Sequence, residues 1–118
     1  MANAAIFIGW GPVIAGREQK ALQVFAEVVQ HYTQLQQQGE IESFEPVALE
    51  PHGGDLAGFL LIRGDREKLS RLRASDAFQR LNTRGLLVVQ NFGAVDAYVG
   101  EGLTRLFGTF QQQATELA

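Results

Sequence analysis

Three stretches of this 118-residue chain, Ala4–Ile8, Phe59–Ile62 and Leu86–Val89, are apolar at every position. A strand with one face in water alternates apolar and polar residues, so an unbroken run reads as a strand buried on both faces. The helices between such strands cover only one side of the sheet they build. The other side then needs a cover of its own, and a second copy of the chain is the expected one.

Composition narrows the setting. At 118 residues the chain is expected to form a single domain, residues 1–118, with a core of useful size. Apolar residues at 46% and charged residues at 19% exclude a disordered chain. A net charge of -3 argues against nucleic acid or an anionic membrane as partner. With no cysteine there is no disulfide scaffold, thiol catalysis or Cys-ligated metal. The apolar start, Ala4 to Ala15, has no basic residue before Arg17, and Gly9, Gly11 and Pro12 interrupt it, so it does not read as a signal peptide. No apolar run approaches the ~20 residues of a membrane span. The cytoplasm is the expected compartment.

Periodicity predicts the elements. A first strand spans Ala4–Trp10 and ends at the turn Gly9-Trp10-Gly11-Pro12. A helix over Arg17–Gln38 carries Leu22, Phe25, Val28, Val29, Tyr32 and Leu35 on one stripe and stops at Gly39. Strand two, Ile41–Glu50, has slipping alternation and Pro46, the marks of an edge strand with a bulge. Strand three covers Leu56–Arg63. Asp65 caps a helix over Arg66–Arg73, and Ser75 or Asp76 caps a second short helix ending at Gly85. Strand four is expected at Leu86–Phe92. Leu103, Leu106, Phe107, Phe110 and Leu117 then mark an amphipathic C-terminal helix.

The order is β-α-β-β-α-β plus a helix, an α+β chain on the ferredoxin-like plan with a four-stranded antiparallel sheet. Right-handed crossovers put both helices on one face. The other face, roughly 300 Å² from strand rise and spacing, would forgo on the order of 8 kcal/mol if left wet. Face-to-face homodimerisation is the first expectation for covering it, and the C-terminal helix folding back is the second.

In layout the chain resembles the dimeric α/β-barrel superfamily. The resemblance rests on Gly16-Arg17-Glu18, on Gly39-Glu40-Ile41-Glu42-Ser43-Phe44, on Gly58-Phe59-Leu60-Leu61-Ile62-Arg63-Gly64, and on Ser75-Asp76-Ala77-Phe78-Gln79-Arg80-Leu81. It covers about residues 4–99 and is nearest to uncharacterised bacterial members. The superfamily also includes antibiotic-biosynthesis and haem-degrading monooxygenases. The resemblance implies two sheets enclosing a cavity. The histidine, asparagine and tryptophan set of the haem-degrading branch does not map onto this chain, so no cofactor is expected.

No motif fixes a chemistry. Gly9-Trp10-Gly11 lacks the third glycine of a dinucleotide loop, since position 14 is Ile14. Phe7 and Phe59 lie where an RNA-recognition sheet stacks bases, but the basic entry of that motif is missing, and core packing explains both. Arg63-Gly64-Asp65 reads as a strand end and a helix cap. His31 and His52 show no metal-ligand spacing, so no metal site is expected.

Topology groups the remaining candidates. Trp10, His52, Asp55 and Arg84 are expected at one sheet edge, with Arg63, Asn91 and Asn3 at the other. Trp10, His52 and Arg84 are candidate ligand-binding residues at a barrel mouth. Trp10, Arg63 and Asn91 would be the catalytic candidates of a cofactor-independent monooxygenase. Three functions stay open: a homodimer binding a small apolar or aromatic molecule in its barrel, that enzyme, or a structural module with a filled barrel.

Overall fold

A computed structural model describes residues 2–118. In chain order the elements are β1 (Ala4–Trp10), α1 (Glu18–Gln37), β2 (Ser43–Ala48), β3 (Gly58–Gly64), α2 (Arg66–Arg73), α3 (Asp76–Leu86), β4 (Gly93–Ala97) and α4 (Gly100–Leu117). The four strands form one sheet in the order β2-β3-β1-β4, with every neighbouring pair antiparallel. This is the ferredoxin-like arrangement, with α1, α2 and α3 on one face.

The register assigns the faces. Ile6 sits opposite Ile62 and Asp96, and Ile62 opposite Phe44, so these residues point toward the helices. Ile8, Leu60 and Ala94 form the next row on that side. The helices bring Tyr32, Leu69, Leu72 and Phe78 down onto them, and Ile41 closes one end of the core. On the opposite face the rows are Glu45–Leu61–Phe7–Val95 and Val47–Phe59–Gly9–Gly93. Phe7 and Phe59 stack there with ring centroids 5.3 Å apart, and glycine at position 9 leaves room for the Phe7 ring. Val95 is more than half exposed on this face. At its margin Arg63 pairs with Glu45 at 3.7 Å.

Local chemistry sets the helix ends. The Asp65 carboxylate accepts from the N–H groups of Glu67 and Lys68, capping α2. Of the two candidates for α3, Ser75 is the cap, accepting from Phe78 N–H at 3.2 Å. Gly39 takes a positive φ of 77° just beyond α1, a conformation that suits glycine.

Three expectations change. Leu86–Val89 is not a strand. The helix α3 continues through Gly85 to Leu86, and Leu86 and Leu87 are more than half exposed. Val89 forms only an isolated bridge to Val13, and β4 begins later, at Gly93. Gly85 serves close packing rather than chain termination, because a Cβ there would lie 2.9 Å from the Phe92 ring. The apolar-on-both-faces argument therefore rests on β1 and β3.

In β2 the ladder runs unbroken past Pro46. The irregularity lies at the strand's start, where Arg63 pairs with Ser43 while its carbonyl also accepts from Glu42 N–H at 2.9 Å. Two successive residues facing one partner let both Ile41 and Phe44 reach the core.

Finally, α4 does not fold back over the open face. Gly102 packs near Asn3 at its root, and the described residues show no extensive packing of α4 on any strand or helix. Among the described residues no helix is long and apolar enough to cross a membrane.

Candidate functional site: a cavity between the sheet and helix α1

Strands β1 and β3 supply a floor of Ile8, Trp10 and Leu60, and α1 lies over it with Ala21, Leu22, Phe25, Val28 and Tyr32. The end of α3 adds Leu81, Asn82 and Gly85, with Phe92 and Val89 behind them. Between these elements is an almost wholly apolar cavity of about 420 Å³. That is within the ~300–1,000 Å³ range of small-molecule pockets. It opens on the helix side of the sheet, not on the open face expected to line a barrel.

The stripe on α1 explains the opening. Val24 and Tyr32 are buried, but Leu22 and Phe25 stay substantially exposed along the cavity's rim. Apolar residues left wet beside a cavity are what a ligand or partner would cover. Trp10 lies at the sheet end of the pocket, edge-on to Phe25 with centroids 6.2 Å apart. Its ring passes over Gly58, where a Cβ would come within 2.8 Å of it.

Polar groups in the lining are few. Glu18 stands exposed and Asn82 half-buried. Tyr32 is only 1% exposed, and among the described residues its hydroxyl has no hydrogen-bond partner. Every fully closed-off side-chain nitrogen or oxygen among the described residues has a partner. The small accessible part of Tyr32 is therefore its hydroxyl. Burial pushes the phenol well above its ordinary pKa, so it remains a protonated donor.

The candidates from the sequence scatter. Trp10 alone lines the cavity. Arg63 projects from the opposite face and pairs with Glu45. Arg84 belongs to α3 rather than to a strand start, and its Nε and Nη2 donate to the two Glu27 oxygens at 2.8 and 2.9 Å. That bidentate pair ties α3 to α1, and neither residue lines Trp10's pocket. Asn91 is not at the Arg63 edge. With β4 starting at Gly93 it falls in the preceding turn, with φ of 53°, and its amide approaches Gly11 beside Trp10. His52 staples the β2–β3 loop, its Nε2 donating to Leu56 O at 2.8 Å while Nδ1 accepts from Gly54 N–H.

Phe25, Tyr32 and Asn82 did not emerge as site residues from sequence. On periodicity Phe25 and Tyr32 are simply core positions of α1. Among the described residues no group of three or more His, Asp or Glu is placed to hold a metal ion.

No protein-family model and no curated protein matches the chain. Solved structures do match in fold. A dimeric ferredoxin-like protein of unknown function from Jannaschia sp. CCS1 aligns with a TM-score of 0.62 at 14% identity, over 81% of this chain and 98% of that one. A dimeric protein of unknown function and ferredoxin-like fold from Bacteroides fragilis aligns at 0.58 and 11% identity, over 81% and 96%. SnoaB, a cofactor-independent oxygenase from Streptomyces nogalater, aligns at 0.59 and 14% identity, over 83% and 94%. At these identities the likeness is one of fold, and this chain has the ferredoxin-like fold for which the first two are named.

Proposed function

We propose that this protein is a homodimer that binds a small, flat, mostly apolar molecule in the cavity beneath α1. The observation that carries the reading is an almost wholly apolar pocket of about 420 Å³ with Trp10, Phe25 and the buried Tyr32 in its lining. Such a lining favours a ring system carrying one hydrogen-bond acceptor, with the acceptor toward Tyr32 and the rings between Trp10, Phe25 and Leu60. The dimer reading is supported by the apolar open face and by the dimeric proteins that share the fold. The oxygenase among the structural neighbours gives no closer guide, because Trp10, Arg63 and Asn91 do not meet around one void.

Trp10 is the only tryptophan, so its fluorescence reports on the pocket directly. Titration with naphthoquinone and with naphthalene should give saturable quenching. Ala21→Phe, which fills the void, should weaken both by at least about tenfold. Tyr32→Phe should weaken naphthoquinone by up to about tenfold and leave naphthalene unchanged, since only the quinone uses the hydroxyl. Absence of saturable quenching, or quenching indifferent to Ala21→Phe, contradicts the reading and favours a structural module.

A further inference from the structure

The helix α4 is the one element without a place in its own chain's core. Leu103, Phe107, Phe110, Ala114 and Leu117 recur at intervals of four, three, four and three on one stripe, which Leu106 widens near its root. A helix laid on a sheet or globular core shows a broader apolar face. Beyond Leu106 the apolar face of α4 narrows to a four–three spacing, the seam of a helix packed against another helix. Exposure climbs along that seam, from 37% at Leu103 through 63% at Phe107 and 73% at Phe110 to 85% at Leu117. The root of α4 is therefore seated on its own domain and the rest stands away from it. Gln112, Arg105 and Glu116 occupy the opposite, polar side.

The dimensions agree. The radius of gyration is 16.2 Å and the longest extent 52 Å, against about 13.5 Å expected for a compact chain of this length. At 1.5 Å per residue α4 is about 27 Å long, so it accounts for the excess as a projecting arm.

We infer that α4 of one copy packs along α4 of a second copy, seam to seam. Two-fold symmetry presents the same stripe from both chains, which makes it self-complementary. The inference rests on the open-face dimer proposed above, because a seam of two heptads is marginal by itself. The two contacts complete each other in area. Two open faces bury about 600 Å², short of the ~1,000 Å² a biological interface should clear. A pair of arms, each about 27 Å long and ~10 Å wide, adds on the order of 500 Å² and carries the total past that mark.

The test places a photo-crosslinking residue at Phe110 and compares the dimer dissociation constants of the unmodified chain and of the double variant Phe107→Glu, Phe110→Glu. The seam predicts a crosslinked product of two chains, mapped to residues 103–117 of the other copy. It also predicts at least a tenfold weaker dimer for the double variant, with no change for Gln112→Glu on the polar side. If the chain is dimeric but Phe110 crosslinks to its own chain or to the partner's sheet, or the double variant dimerises normally, the arm pairing is wrong and the open-face dimer survives. A chain that is monomeric throughout overturns both.

Discussion

His31 sits half-buried on the flank of α1, its ring edge-on to Tyr32 with centroids 5.1 Å apart. Burial lowers its pKa below the ordinary 6.5, and the positive charge of Arg80 lowers it further. The unfolded chain therefore takes up this proton before the folded one does. The stability His31 contributes is fully present above about pH 6.5 and is lost as pH falls through its depressed folded value. His31→Gln should flatten that loss, so urea midpoints measured from about pH 7.5 down to about pH 5 should fall less steeply in the variant. Parallel curves would show that the ring is no more confined than in the unfolded chain. Glu27 behaves in the same sense at lower pH, held below its usual 4.5 chiefly by the hydrogen bond from Arg84.

Among the elements, α3 and β4 show where pattern reading succeeds and where it stops. The β1 and β3 runs, the α1 stripe and the Asp65 and Ser75 caps were legible because each has a strong local cause. Leu86–Val89 misled because four apolar residues in a row fit a strand and a helix end equally, and in the structure Gly85 of that helix end packs close against the Phe92 ring. That contact makes a prediction opposite to propensity. Alanine in a helix interior normally gains about 1 kcal/mol over glycine. Gly85→Ala should instead cost about 1–3 kcal/mol, because its Cβ meets the Phe92 ring at 2.9 Å. A more stable variant in urea would mean that the ring moves aside freely. The misplaced strand also moved Asn91 to the wrong edge and Arg84 out of its helix. The cavity was illegible for a related reason: periodicity marks Phe25 and Tyr32 as inward-facing but does not reveal the gap left beneath them.

At the scale of the whole molecule, three helices and one sheet face make the core and enclose the cavity beneath α1, while two further apolar surfaces remain. One is the sheet face carrying Phe7, Phe59, Leu61 and Val95, and the other is the seam of α4. Leaving a face of roughly 300 Å² in water forgoes on the order of 8 kcal/mol, comparable to the ~5–15 kcal/mol stability of an entire domain. In the proposed dimer a second copy covers both surfaces by one symmetry operation and leaves the cavity beneath α1 open on the outer side. Sedimentation velocity of the unmodified chain across a wide concentration range tests this most directly. A predominant species of twice 13.0 kDa is the predicted result, and a well-folded species of 13.0 kDa persisting at the highest concentration would contradict the account.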